Sequence, residues 1–333
     1  MTETVMALEN VSKRFVKSID FAERLANVLG ANYRTQVVHA VDDVSLSVAK
    51  GEVLGLVGES GCGKSTLGRI VAGVLEASAG TVRWHGKIPD ELQGDARRRA
   101  KLAVQMIFQD PFASLNPRLT VADIVGEAPR FHGLVSGTKD QKAHVAEALR
   151  RVGLDPSYAE RYPHQFSGGQ RQRIGIARAL AVDPEFLVCD EAIAALDVSI
   201  QAQVLNLFMK LRDELGLTYL FISHDLSVVE HISDRIVIMY LGRVVETAPT
   251  DALFREPNHP YTVALLEEVP RLEARPRDYQ PIKGEIPSPI DPPSGCHFHP
   301  RCPHAFERCR VERPALKEIA PGRWSACHLN DEG

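Results

Sequence analysis

Across residues 1–255, short apolar runs alternate with stretches of helical periodicity. Val44, Leu46 and Val48 alternate with polar neighbours, the period-two mark of a strand with one buried face. Val53–Val57 is apolar throughout, which predicts a parallel strand covered on both faces. Further strand-like runs fall at 103–108, 186–189, 217–222 and 235–240, with helical patterns between several of them, for example 201–215. Such alternation predicts an α/β core. Residues 111–180 read as mostly helical, with breaks at Pro111, Pro117, Pro129 and Pro163, and predict a helical lobe inserted into that core. Residues 16–38 read as an extension between two early strands. From about residue 256 Pro, Arg and His accumulate (Pro257, Pro260, Pro270, Pro276, Pro281, Pro287, Pro289, Pro292 and Pro293). That shift marks a linker and a small appendage, so the expected division is 1–255 and 256–333.

Composition narrows the class. The 333 residues are 44% hydrophobic and 25% charged, ordinary for a globular protein. A net charge of −4 argues against a broad electrostatic grip on nucleic acid. No apolar run approaches the roughly 20 residues needed to span a bilayer. The opening MTETVMALENVSKRF lacks a basic segment followed by an apolar one, so no secretory signal is read and a cytoplasmic protein is expected.

The first chemical motif follows the strand Val53–Val57. Gly58-Glu59-Ser60-Gly61-Cys62-Gly63-Lys64-Ser65-Thr66 fits G-x-x-x-x-G-K-[ST]. Its glycines let backbone N–H groups turn inward around phosphate oxygens. The helix beginning near Gly63 points its positive end the same way. Lys64 is expected to reach the β- and γ-phosphates of ATP, and the Ser65 hydroxyl to ligate Mg²⁺. Cys62 reads as a small loop residue, not a nucleophile.

A second apolar strand, Phe186-Leu187-Val188-Cys189, ends in Asp190-Glu191. Asp190 is placed to hold Mg²⁺, directly or through water. Glu191 is placed to act as general base toward the attacking water. An acidic pair after a strand is weak alone and strong when it follows a phosphate loop in the same chain.

Between these motifs, Phe166-Ser167-Gly168-Gly169-Gln170-Arg171-Gln172-Arg173 resembles the defining element of ABC ATPases, just upstream of the acidic pair as in that family. The resemblance implies a P-loop NTPase core of ABC type with an inserted helical lobe. It also implies that the helix start at Ser167, Gly168, Gly169 and Gln170 binds the γ-phosphate held by a second ATPase subunit. Gln109 matches the residue that joins the Mg²⁺ and water network. Asp197, in Ala194-Ala195-Leu196-Asp197, matches the loop crossing the dimer interface. His224 matches the histidine that contacts the γ-phosphate, and Phe15 the aromatic that stacks on adenine. Two positions depart from the pattern. Phe166 replaces a usual Leu, an apolar exchange. Ala194 replaces a usual Ser and removes an inter-subunit hydrogen bond worth on the order of 1 kcal/mol. Every catalytic group is present, so an active ATPase of the translocase class is expected.

Asn258-His259-Pro260-Tyr261-Thr262, Gly284-Glu285-Ile286-Pro287-Ser288-Pro289 and Gly295-Cys296-His297-Phe298-His299-Pro300-Arg301-Cys302-Pro303 resemble the C-terminal region of dipeptide, oligopeptide and nickel importer ATPases. With Gly68-Arg69, they look most like the second of the two ATPases of such importers. The resemblance implies a heterodimer with a sister ATPase, two transmembrane permease subunits and an extracytoplasmic substrate-binding protein. The chain would then sit on the cytoplasmic face of the cell membrane. The rival reading is a soluble ABC ATPase of translation or DNA repair; nickel or another small solute is an alternative cargo. Four of the six cysteines, Cys296, Cys302, Cys309 and Cys327, crowd the C-terminal region without the C-x₂-C pairing of common zinc folds. Members of this branch with the same cysteine pattern carry a [4Fe–4S] cluster, and that is the favoured expectation. Zinc, with His297, His299 or His328 joining, and unligated thiols are the alternatives.

Overall fold

The computed structural model describes residues 3–20, 23, 27, 29, 32, 34–110, 113–268 and 284–331. In chain order the strands are β1 (Thr4–Lys17), β2 (Gln36–Ala49), β3 (Val53–Val57), β4 (Ala79–Trp84), β5 (Val104–Ile107), β6 (Phe186–Asp190), β7 (Thr218–Ser223), β8 (Arg235–Tyr240), β9 (Arg243–Pro249), β10 (Lys317–Ala320) and β11 (Arg323–Ser325). The α-helices are α1 (Lys64–Val71), α2 (Gly94–Ala103), α3 (Val121–Phe131), α4 (Thr138–Arg151), α5 (Gly168–Leu180), α6 (Val198–Leu215), α7 (Leu226–Ile232), α8 (Thr250–Arg255), α9 (Pro260–Glu267) and α10 (Glu307–Val311).

Two sheets result. The smaller is antiparallel, in the order β2-β1-β4. The larger runs β10-β11-β9-β8-β3-β7-β6-β5, and its members from β8 to the edge strand β5 pair in parallel. Every residue of β3, β6 and β7 is buried, which is why their sequences are continuously apolar. Parallel pairing puts the carboxyl ends of β3, β5, β6 and β7 along one sheet edge. The phosphate loop, Gln109, the Asp190-Glu191 pair and His224 follow those four strands, so one edge collects all of them, the usual place for a ligand in such a sheet.

Three apolar cores hold this edge in place. One fills the space between α3–α6 and one face of the parallel sheet, with Ile124, Leu149, Ile174, Phe208 and Tyr219 in it. A second sandwiches α1 between the two sheets through Leu67, Ile70 and Val71. The third joins β8, α8 and α9 to the C-terminal region, with Tyr240, Tyr261 and Phe298 at its centre. The C-terminal region therefore does not build a core of its own. It shares one with β8, and β11 extends the main sheet by pairing with β9.

Some local expectations are corrected. Pro129 does not break a helix but lies within α3, two residues before its end, buried on the core side. The ends of the expected 16–38 extension are strand: Val16 pairs with Val37 and Lys17 with Gln36 in the β1–β2 ladder. Most of 21–33 lies outside the described residues, as do Pro111, Pro270, Pro276 and Pro281. Helix α6 starts at Val198, before the expected 201. Among the described residues no helix is long and apolar enough to cross a membrane.

Candidate nucleotide site

The phosphate loop closes tightly on its surroundings. Gly63 has φ +107°, and a Cβ there would overlap the Ala40 carbonyl oxygen; a Cβ on Gly58 would overlap the Met239 carbonyl oxygen. Only glycine fits either position. At Gly61, by contrast, nothing lies within 4 Å of where a Cβ would stand, so the loop opens outward at its tip. Lys64 is buried, and its Nζ donates to the carbonyls of Gly58 at 2.6 Å and Glu59 at 3.0 Å. The ammonium is thus held across the loop, with α1 starting at its back. Ser60 and Thr66 lie in this same strand–loop–helix segment. Burial pushes the Cys62 thiol up, which suits a packing role.

Asp190 ends β6 and is buried; its Oδ1 accepts from Ser65 Oγ at 2.7 Å. Burial raises its pKa, while the Ser65 hydrogen bond, Arg69 and Lys64 pull the other way. A carboxylate so short of water gains strongly from a cation. Glu191 turns the chain with φ +47°, uncommon for a residue other than glycine and costing about 1 kcal/mol or more. Its two oxygens are shared: Oε2 accepts from Gln109 Nε2 at 2.7 Å, and Oε1 lies 3.3 Å from His224 Nδ1. The fit to a nucleotide with its Mg²⁺ rests on this set: an open-tipped glycine loop, a confined ammonium, and a desolvated carboxylate beside a hydroxyl.

The structure does not add every expected residue to this group. Ser167 caps α5, its Oγ accepting from the Gln170 N–H while Gln170 Oε1 accepts from the Ser167 N–H. Gly168 and Gly169 pack on Leu196 and Ile200. Ser167, Ala194, Asp197 and Val198 are all exposed, and Asp197 caps α6 without a side-chain bond. This second set thus lies around the 191–201 turn. Phe15 is exposed on β1 opposite Val38, with Lys13 Nζ 5.3 Å from its ring centre.

Two contacts to the loop escaped the sequence reading. Arg301 makes two hydrogen bonds to the Glu59 carboxylate, at 2.7 and 3.0 Å, and Tyr261 Oη accepts from the Glu59 N–H at 2.9 Å. Both residues stand in the quoted C-terminal motifs, but nothing local in those motifs points to the loop. Glu246 was missed as well. Its buried carboxylate accepts from the N–H groups of Asn258 and His259, and His259 Nδ1 accepts from Tyr261 N–H, which starts α9.

Cys296, Cys302, Cys309 and Cys327 come together around one small cavity, with His259, His299, His304 and His328 also lining it. Burial raises the thiols of Cys296 and Cys327 to about 11. Backbone N–H groups oppose that rise: those of Phe298 and His299 at Cys296, of His304 at Cys302 and of Leu329 at Cys327. Among the described residues no three His, Cys, Asp or Glu side chains are grouped as one metal ion requires. His297 faces elsewhere, bonded to the Leu241 carbonyl at 3.1 Å. His328 has both ring nitrogens engaged, by the Glu312 carbonyl and by Asp331.

Comparison with known proteins places this geometry. Residues 41–194 match the ABC transporter family, and residues 245–309 match the oligopeptide/dipeptide transporter C-terminal region. The chain is 49% identical over 332 residues to the oligopeptide transport ATP-binding protein AppF of Bacillus subtilis strain 168, covering 98% of each chain. It is 53% identical over 300 residues to YkfD of the same strain, covering 89% of this chain and 91% of that protein. Among solved structures, it resembles the dimeric, post-hydrolysis ATP-binding cassette MJ0796 bound to ADP and Pi. There the TM-score is 0.62 and the identity 26%, over 74% of this chain and 98% of that one. The protein is a P-loop ATPase of the ABC type, which works on ATP with Mg²⁺. The chain belongs to the ATP-binding subunits of ABC transporters.

Proposed function

We propose that this chain powers peptide import, with Lys64, Ser65, Asp190, Glu191, Gln109 and His224 serving one nucleotide and Ser167 to Gln170 serving the nucleotide of a partner ATPase. The observation that carries the catalytic reading is the double hold on Glu191. Gln109 on one oxygen and His224 beside the other restrain the carboxylate, which supports a role in orienting and deprotonating the water that attacks the γ-phosphate. Mg²⁺, when bound, neutralises charge on the β- and γ-phosphate oxygens. Asp190 and Ser65 would hold it, and the Gly58–Thr66 backbone and Lys64 would take the phosphates. Phe15 would stack on the adenine, and Asp197 would cross to the partner. The exposed shelf of Ser167, Ala194, Asp197 and Val198 supports a site completed by a second subunit.

The relatives that match nearly the whole chain are named for oligopeptide transport, which favours peptides over nickel and over a role in translation or DNA repair. On this reading the chain pairs with a sister ATPase and docks peripherally on two permease subunits at the cytoplasmic face. An external binding protein delivers the peptide. Residues 1–255 are the nucleotide-binding domain, with the lobe at 111–180 facing the permease, and 256–333 the importer-type region. We further propose that the four C-terminal cysteines hold a [4Fe–4S] cluster. A zinc ion bound by four thiolates at about 2.3 Å is the smaller alternative. Four thiols around a common cavity, with backbone N–H groups aimed at three of them, suit a larger polynuclear centre. Such a cluster would cross-link the segments that carry Cys296, Cys302, Cys309 and Cys327.

Two measurements test the reading. In the assembled transporter, ATP hydrolysis should rise when a peptide-loaded binding protein is added; stimulation by a nickel chelate and not by peptides would overturn the cargo. The chain purified without oxygen should be brown with about four irons per chain. A colourless protein with one equivalent of zinc would remove the cluster.

A further inference from the structure

The phosphate loop is not held by its own domain alone. Glu59, its second residue, is fastened on every polar group it has. Its carboxylate takes both terminal nitrogens of Arg301, at 2.7 and 3.0 Å. Its N–H donates to Tyr261 Oη at 2.9 Å. Its carbonyl accepts from Lys64 Nζ at 3.0 Å and from the Cys62 N–H at 3.3 Å. Arg301 is 9% exposed and Tyr261 fully buried, and the Glu59 side chain is 20% exposed, so these bonds are partly shielded from water. Both clamping residues are themselves immobilised. Tyr261 packs against Tyr240 and Phe298 in the third core, and the Tyr240 hydroxyl lies 3.4 Å from Arg301. Arg301 is the residue before Cys302, and its N–H donates to the Phe298 carbonyl at 3.0 Å.

We propose that the C-terminal region is a working part of the nucleotide site, with Arg301 and Tyr261 as positioning residues that act through Glu59 on Lys64. The consequence is mechanical. A Glu59 released from Arg301 keeps its backbone bonds but loses its side-chain anchor, and the carbonyl that steadies the Lys64 ammonium is held less firmly. The loop would then pay ordering entropy each time phosphate binds, which weakens ATP binding and leaves Glu191, Gln109 and His224, the groups assigned to the attacking water, untouched. The bidentate guanidinium fork matters here, since a lysine at 301 supplies charge but no fixed plane.

The test uses the full-length chain and a fluorescent ATP analogue with Mg²⁺. It rests on the reading that Gly58–Thr66 binds phosphate, which Lys64→Ala checks separately. Arg301→Gln should weaken binding about tenfold, as a lost charge-assisted pair would, and Arg301→Lys should not restore it. Glu59→Gln should weaken binding similarly. The double variant should be no worse than either single one, the coupling that direct partners show. In the assembled transporter, KM for ATP should rise while kcat stays within about twofold, which a merely unfolded C-terminal region would not produce. Tyr261→Phe removes one acceptor with little change of shape, should weaken binding a few fold, and keeps the test open if Arg301 variants misfold. Losses at 301 and 59 that simply add, or wild-type affinity in both Arg301→Gln and Tyr261→Phe while Lys64→Ala fails to bind, would overturn the proposal. Wild-type affinity in Lys64→Ala would overturn it together with the phosphate-loop reading.

Discussion

Ser65 Oγ donates to Asp190 Oδ1 across 2.7 Å although the two residues are 125 positions apart. Ser65 is in the first turn of α1 after β3, Asp190 ends β6, and β7 lies between those strands, so the bond spans the sheet edge. With a cation present the two oxygens can share it. Asp190→Asn keeps the shape and removes the charge. The expected result is that Mg²⁺ no longer tightens ATP binding, with Mg²⁺-dependent affinity falling on the order of a hundredfold. Ser65→Ala should show a smaller loss, near tenfold. Titrating ATP with and without Mg²⁺ reads both.

Glu191→Gln leaves one amide oxygen to accept from Gln109 and should keep the turn at φ +47°. It removes the base. Steady-state hydrolysis is expected to fall 10²-fold or more, while ATP binding persists and a closed dimer accumulates. Phosphate release together with sizing in ATP checks this. Unchanged hydrolysis would take Glu191 out of the base role.

Legibility followed burial and locality. Strands β3, β6, β7 and β8 are buried on both faces, so their apolar runs announce them. Strand β4 has no fully buried residue, and β1 carries register shifts that break its alternation, so neither stands out. Strands β10 and β11 are short and partly exposed, and exist because β9 offers them an edge. Lys64, Asp190 and Glu191 were readable because each sits in a contiguous motif after an apolar strand. The Arg301–Glu59 pair was not, since it joins residues 242 positions apart and depends on how the C-terminal region docks. The same holds for the double hold on Glu191, whose partners follow different strands.

Gly63→Ala tests the tightness of the loop. The new Cβ meets backbone at the Ala40 carbonyl, which cannot rotate away, and φ +107° is costly for alanine. Destabilisation on the order of 2 kcal/mol or more is expected, with nucleotide affinity lost. Gly61→Ala has the same kind of φ but open space around it, and should cost clearly less. Thermal melting of both variants side by side separates steric overlap from backbone strain.

His259 should make stability sensitive to mild acid. The ring is fully buried, and burial lowers its pKa to about 4, with the Ala326 backbone opposing the shift. In the unfolded chain the value is near the ordinary 6.5. Between those two values the unfolded state binds the proton and the folded state does not. The contribution is therefore fully present above about pH 6.5 and is lost as pH falls towards 4, by about 2 kcal/mol at pH 5. His297, lowered to about 4 mainly by burial, adds a similar slope. His259→Asn keeps a side-chain acceptor for the Tyr261 N–H that starts α9 and removes one of the two titrations. The variant is expected to be less stable than the parent at pH 7.5, because it loses ring packing against Phe298. Its melting temperature should nevertheless fall less between pH 7.5 and pH 5. Parallel pH slopes for the two proteins would mean that the ring is protonated in the folded state well above pH 4, and would remove His259 from the acid response.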